Sequence, residues 1–301
     1  MNSKSVLTIG NFDGIHLGHR KLLSRMVDIA RDENLMSVVL SYTDHPAFIL
    51  KAHATPKMLC PATLKKRELL ALGIDNVELL SFTKELANTP ALKFLQEYIL
   101  PVWQPKVIVM GYDSHFGHRR LGNYQLLSHH ASDNGYRVEY IDPLLSEDKP
   151  ISSSMIRELL SAGKTELANG LLGKPYRLMG VIGHGTSRGH SFGFPTANLI
   201  LSCPHQLIPK CGSYISKVFL DDEAHFGLTN IGISPTVKHT NIVEIETFIL
   251  DFEGEIYGKR MELELLKYLR EEMMFSNVDS LIAAMQKDLA LARQIISGKL
   301  E

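Results

Sequence analysis

The 301 residues are 45% hydrophobic and 22% charged, which suits a globular chain of about two domains and is too apolar for a disordered one. The 32 Lys and Arg against 33 Asp and Glu leave a net charge of −1, so no cationic surplus points to nucleic acid and any anion must be held locally. No apolar run reaches the roughly 18 to 20 residues that span a bilayer, and the opening MNSKSVLTIGNFDG lacks a signal-peptide pattern, so a cytoplasmic protein without a membrane partner is expected. Cys60, Cys203 and Cys211 form no CxxC pair, which argues against a disulfide framework or a zinc site.

In chain order, strands are predicted at 6–10, 37–42, 76–82, 106–111 and 137–142. Between the first two, Leu22, Leu23, Met26, Val27, Ile29 and Ala30 recur at helical spacing. Strands alternating with helices predict a doubly wound, parallel α/β sheet. Two helices, 153–163 and 165–173, follow without an intervening strand and are expected to close this first domain, 1–175. From Tyr176 onward, short runs broken by Gly and Pro predict a compact antiparallel sheet or barrel over the second domain, 176–301. A final helix over 277–297 carries Leu281, Ile282, Met285, Leu289 and Ile296 and should pack on that sheet.

The stretch TIGNFDGIHLGHRKLL runs from a strand through Gly10 and Gly14 to a helix that begins near His16 and His19. A glycine-rich strand-to-helix turn brings backbone N–H groups to an anion, and the helix N-terminus adds partial positive charge. Two histidines three apart share a face there and can donate to phosphate oxygens as charge develops. The competing explanations are surface histidines in a turn, or zinc ligands that lack an identifiable third partner.

GNFDGIHLGH resembles the nucleotidyltransferase signature of adenylyl- and cytidylyltransferases, and ISSSMIR at 151–157 resembles their second motif. The resemblance implies catalytic roles for His16, His19 and Arg157, and nucleotide contacts from Gly10, Phe12, Asp13, Gly14, Ser153 and Ser154. Simple helix capping is the competing role of the serines. VMGYDSHFGHRRLGN resembles the superfamily's segment facing the adenine nucleotide, which implies Gly111 and Asp113 there, beside Phe116 and Gly117; Arg119 and Arg120 are solvated on the plain reading. SYTDHPAF stands where an FDPHP-like motif is usual, keeping Asp44, His45 and Pro46 as implied flavin contacts or as a mere turn.

GHGTSRGHSFGFPTANL resembles the riboflavin kinase signature, and NIGISPT, EIETFILDFEGEIYGK and YLREEMMFSNVDSLIAAMQKD continue the resemblance in order. The whole is similar to the bifunctional prokaryotic riboflavin kinase and FMN adenylyltransferase (FAD synthetase) family. That resemblance implies a Rossmann-like nucleotidyltransferase domain followed by a small six-stranded antiparallel β-barrel with a C-terminal helix. It also implies ATP, riboflavin, FMN and FAD as ligands and Mg²⁺ with ATP. Glu246 matches the family's base, Thr196 and Asn198 its Mg²⁺–nucleotide ligands, Gly183 and Arg188 a phosphate-covering loop that also holds Gly185, Gly189 and Gly193, and Arg270 and Glu272 its flavin side.

Four departures from the family's usual residues stand out: Phe248 replaces His, Met274 a basic residue, His115 an Arg, and the opening Phe of the FDPHP-like motif is replaced. Phe248 and Met274 leave two further readings open, a paralogue retaining only FMN adenylyltransferase activity and a non-catalytic flavin-binding regulator.

Overall fold

The computed structural model describes residues 4–50, 56–183, 196–221, 223–235, 241–273 and 278–298. The chain divides into two compact units between Met155 and Ile156.

The first unit is built on a five-stranded parallel sheet of β1 (Ser5–Ile9), β2 (Met36–Tyr42), β3 (Asn76–Leu80), β4 (Pro105–Gly111) and β5 (Arg137–Ile141), in the order β3-β2-β1-β4-β5. All five predicted strands form, with ends within two residues of the expected bounds. Helix α1 (Leu17–Asp32) covers one face and buries Leu22, Leu23, Met26 and Ile29 with Val6, Val39, Val107 and Val109. On the other face Leu7, Ile9, Val38, Leu40, Ile108 and Met110 pack against Phe94, Leu95 and Ile99 from a helical segment over 91–103 that the sequence reading did not single out. The alternation of Val6 with Leu7 and of Val38 with Val39 between the two cores is the period of two expected of strands covered on both faces. The hydroxyls this burial traps are satisfied: Ser5 Oγ donates to Trp103 O at 2.7 Å and Thr8 Oγ1 to Val109 O at 2.8 Å.

Strand order reverses between β1 and β4, so the loops leaving these two strands diverge and open a crevice at the sheet's carboxyl edge. Helix α2 (Ala62–Ala71) precedes β3, and a small hairpin of β6 (Leu145–Ser146) and β7 (Lys149–Pro150) follows β5. Helix α3 (Ser153–Ser161) then spans the division between the units.

The second unit is a closed antiparallel barrel of β8 (Tyr176–Gly183), β9 (Thr196–Leu201), β10 (Gly212–Leu220), β11 (Glu223–Pro235), β12 (Asn241–Ile249) and β13 (Arg260–Arg270), in the order β10-β11-β12-β9-β8-β13. Its buried residues include Leu178, Leu199, Tyr214, Ile245, Leu263 and Leu265. A hydroxyl ladder is buried among them, Ser216 Oγ to Thr229 Oγ1 at 2.7 Å and Thr229 Oγ1 to Thr247 Oγ1 at 2.9 Å.

The division at 155/156 lies before the expected boundary at 175/176. Helix α4 (Thr165–Leu172) explains the difference, because Asn169 Nδ2 donates to Leu265 O at 2.8 Å while its Oδ1 accepts from Tyr176 N at 2.8 Å. Side-chain hydrogen bonds to β13 and to the start of β8 therefore tie that helix to the barrel. Helix α5 (Val278–Ile296) is tied to β13 by Asp288, whose carboxylate takes hydrogen bonds from Arg270 Nε and Nη2 at 2.8 to 3.2 Å. Among the described residues no helix is long and apolar enough to cross a membrane.

Candidate functional site

The turn GNFDGIH leaves β1 at the crevice, and its backbone is unusual. Phe12, Gly14 and Ile15 all have left-handed φ, at 49°, 84° and 46°. Glycine adopts this without cost, whereas a β-branched residue such as Ile15 is strained there. Burial of Phe12 and Ile15 in the core under α1 holds the strain in place. Asp13 fastens the turn from the other side: Oδ1 accepts from Leu59 N and Cys60 N, each at 2.9 Å, and its backbone carbonyl accepts from Ser153 Oγ at 2.8 Å.

His16 is the N-cap of α1, its Nδ1 accepting from His19 N at 3.3 Å. A Cβ on Gly18 would stand 3.2 Å from the His16 ring, so the glycine between the histidines makes room for this cap. The two imidazoles stack with centroids 3.6 Å apart, and Phe12 meets the His19 ring edge-on at 5.2 Å. Burial lowers His16 to about 4. Burial first, and then the charges of His16 and Lys65, pushes His19 well below the ordinary histidine range. Both rings are therefore neutral at pH 7, and because His16 Nδ1 is an acceptor its proton sits on Nε2. The arrangement presents a hydrogen-bond donor beside the positive end of α1, as an anion seat requires. His19 Nδ1 and Asn11 Oδ1 are buried atoms without a hydrogen-bond partner.

This burial has a stability consequence. Below pH 6.5 the unfolded chain protonates His16 while the folded one does not until about pH 4, so stability present above pH 6.5 is lost as pH falls toward 4. Urea denaturation should show His16 contributing a loss of roughly 2 kcal/mol between pH 7.5 and 5. His16→Gln should lose correspondingly less over the same interval, and an equal acid loss in both proteins would contradict the neutral, buried imidazole.

The second motif begins α3. The capping expected of its serines falls to Ser152, whose Oγ accepts from Met155 N at 3.3 Å. Ser153 Oγ donates instead to the Asp13 carbonyl and Ser154 stays exposed, with Arg157 about one turn further along the helix. Beyond β4, Gly111 N donates to Ser114 Oγ at 3.0 Å, and a cleft of about 480 Å³ opens between Gly111, Tyr112, His115, Asn123, Tyr124 and Tyr140. Asp113 is exposed beside it, and Arg120 Nη2 lies 3.2 Å from His115 Nδ1. Past β2, at the same edge of the sheet, Asp44, His45 and Pro46 make a turn in which His45 Nδ1 accepts from Ala47 N at 3.1 Å.

In the barrel, strand pairing aligns residues distant in sequence. Successive registers join Gly183 to Asn198, Asn198 to Glu246, Glu246 to Asn230, Asn230 to Ser213 and Ser213 to Arg270. Ala197, Thr229 and Thr247 at the alternating positions are buried, which leaves Asn198, Glu246 and Asn230 on the outer face. Thr196 shares that face opposite Phe248. The oxygens of Thr196 and Asn198, neighbours of the Glu246 carboxylate, are a donor set that fits a hard divalent cation. Among the described residues no group of three His, Cys, Asp or Glu forms a metal cluster. Glu272 lies against Gly232, with Oε2 accepting from Ile233 N at 3.4 Å. The Arg270 guanidinium is engaged by Asp288 and by Glu271 O. Arg188, Gly185, Gly189, Gly193 and Met274 lie outside the described residues.

Two features escaped the sequence reading. Lys65 is fully buried on α2 with Leu64 and Leu69, and no local pattern separates it from the exposed Lys66 beside it. Tyr112, Tyr124 and Tyr140 line the cleft from three separate segments, which no local motif reveals.

Comparison with known proteins agrees with both halves. Residues 1–155 match the family profile described as FAD synthetase, and residues 172–296 match that described as riboflavin kinase. The bifunctional riboflavin kinase/FMN adenylyltransferase of Listeria monocytogenes is 34% identical over 94% of this chain and 90% of its own. That of Bacillus subtilis is 33% identical over 95% and 90%. A crystal structure from Streptococcus pneumoniae, described as a macrolide-efflux protein, aligns with a TM-score of 0.87 at 28% identity, covering 97% of this chain and 95% of that one. With both profiles matched in order and these relatives aligned along nearly its whole length, the chain belongs to the bifunctional riboflavin kinase/FMN adenylyltransferase family.

Proposed function

We propose that this chain is a cytoplasmic enzyme that makes FMN from riboflavin and then FAD from FMN, using ATP in both steps. The observation that carries this reading is that one chain joins two separate units, each with a cluster of polar side chains suited to phosphate chemistry. One is the strained turn with its stacked histidines at the switch point; the other is the barrel row with Glu246 beside Asn198.

In the first unit a phosphate oxygen of FMN attacks the α-phosphorus of ATP, the bond to the β-phosphate bridging oxygen breaks, and pyrophosphate leaves with the electron pair. The nucleophile is already ionised, so catalysis consists of alignment and of stabilising developing charge. His16 and His19, the α1 N-terminus, Ser153, Ser154 and Arg157 handle the triphosphate, on a turn shaped by Gly10, Phe12, Asp13 and Gly14. Gly111 and Asp113 border the nucleotide, and Asp44, His45 and Pro46 border the flavin. In the barrel Glu246 takes the proton of the ribityl 5′-hydroxyl as its oxygen attacks the γ-phosphorus of ATP and ADP departs. Thr196 and Asn198 would hold the Mg²⁺ that enters with ATP, which would supply neutralisation of phosphate charge. Gly183 and Arg188 serve the phosphate side, and Arg270 and Glu272 the riboflavin side. Neither nucleic acid nor a membrane is a partner.

The test is a chromatographic product assay with Mg²⁺ and ATP, run in parallel on riboflavin and on FMN. FAD from both, with FMN as intermediate in the first, is the expected result. FAD from FMN alone would mean that the kinase site, where Phe248 faces Thr196, is disabled. Flavin retained without any product would instead make the protein a binding regulator.

A further inference from the structure

Lys65 is fully buried, as are its helix neighbours Leu64 and Leu69. Removing an ammonium from water is strongly unfavourable unless something compensates. Its Nζ donates to Asn11 O at 2.9 Å, to Tyr42 O at 2.9 Å and to Ser41 Oγ at 3.3 Å. Three acceptors use all three N–H bonds of an ammonium, whereas a neutral amine has only two, so this is the geometry of the charged form. Burial pushes the Lys65 pKa down, and the charges of Asp13, Cys60 and Asp44 oppose the shift.

The three acceptors are neutral oxygens. Asp13, the strongest opposing charge, turns its carboxylate to the backbone of Leu59 and Cys60. Dipoles thus hold the cation in place without a hydrogen-bonded carboxylate, and in a low-dielectric setting its field reaches the groups around it. Those groups are the anion seat. Asn11 O belongs to the strained turn and also accepts from Ser41 Oγ at 3.0 Å, and the Lys65 charge is among the causes that lower His19.

We propose that Lys65 is a positioning residue for adenylyl transfer. Its ammonium pins the Asn11 carbonyl of the turn and supplies a fixed positive charge beneath the triphosphate, favouring the departing pyrophosphate. The inference rests on the adenylyltransferase reading given above. It also accounts for an otherwise costly buried charge, because an anionic ligand completes the compensation that neutral dipoles begin.

The probe is inorganic pyrophosphate, titrated calorimetrically with Mg²⁺ into the full-length protein, alongside steady-state FAD formation. Three variants are compared. Lys65→Met and Lys65→Gln remove the charge, the glutamine keeping amide donors, and Ser41→Ala keeps the lysine while removing one of its acceptors and the hydroxyl's own bond to Asn11 O. Both neutral variants should bind pyrophosphate at least tenfold more weakly and raise KM for ATP by a similar factor, with KM for FMN unchanged. Ser41→Ala should stay within about threefold of the native protein. FMN formation from riboflavin, carried by the barrel, reports that the rest of the chain is intact.

A folded neutral variant that binds pyrophosphate within twofold of native would overturn the proposal, as would Ser41→Ala impaired as severely as Lys65→Met. If Lys65→Met does not fold, Lys65→Gln decides by the same criteria. Native protein that forms no FAD from FMN and binds no pyrophosphate would refute the adenylyltransferase reading itself, a result distinct from active native protein with an unaffected Lys65 variant.

Discussion

Replacing both His16 and His19 by Ala is expected to lower FAD formation from FMN at least about a thousandfold while FMN formation from riboflavin stays within about twofold of native. Loss of one preorganised donor to developing charge typically costs about 10² to 10³ in rate, and this change removes both imidazoles from the seat. The fold should survive. Losing the His16 cap costs on the order of 1 kcal/mol of helix stability, and the hydrophobic face of α1 is untouched. The selectivity follows from the architecture, because both histidines belong to the parallel-sheet unit and none of the barrel pairings involves that unit. Separation of FMN and FAD from one incubation with riboflavin and ATP gives both rates together. An equal loss of both products in a double variant with native circular dichroism would contradict the assignment of one chemistry to each unit.

Glu246→Gln is expected to produce the reciprocal pattern. General-base catalysis contributes about 10² to 10⁴ in rate, so FMN formation should fall by that factor while FAD formation from supplied FMN is retained. The amide is close in size to the carboxylate, and Glu246 lies on the outer face of β12, away from the hydroxyl ladder that Thr247 completes inside the barrel. The expected loss therefore reads on chemistry and not on packing. Thermal unfolding should match native protein. A Glu246→Gln variant that phosphorylates riboflavin at the native rate would remove Glu246 from the role of base and direct attention to other groups of the outer face.

The sequence alone was sufficient for the strands of the first unit and for helices α1, α3, α4 and α5, but not for α2 or the helical segment 91–103. The five strands of the first unit and the helical pattern after the first were legible because a sheet covered on both faces requires near-continuous apolar runs, and a helix covering it requires the 3.6-residue stripe seen at Leu22, Leu23, Met26 and Ile29. The strand-to-helix turn proposed as an anion seat was legible for a related reason. Glycines, a strand end and a helix start must be contiguous to build it, so its signature is local.

Tertiary structure alone decided what depends on distant residues meeting. Glu246 and Asn198 are 48 positions apart and become neighbours only through strand pairing. Ser152 caps α3, whereas Ser153 donates to the Asp13 carbonyl, 140 residues earlier in the chain. Residues 156–175 join the barrel because Asn169 bonds to β13 and to the start of β8, a choice that helix propensity does not encode. Lys65 reads as one of two adjacent surface lysines until its carbonyl partners, supplied by the turn after β1 and by the end of β2, converge on it. Local pattern reports the burial periodicity of one segment, whereas the charge, protonation and partners of a buried group are set by the segments that fold against it.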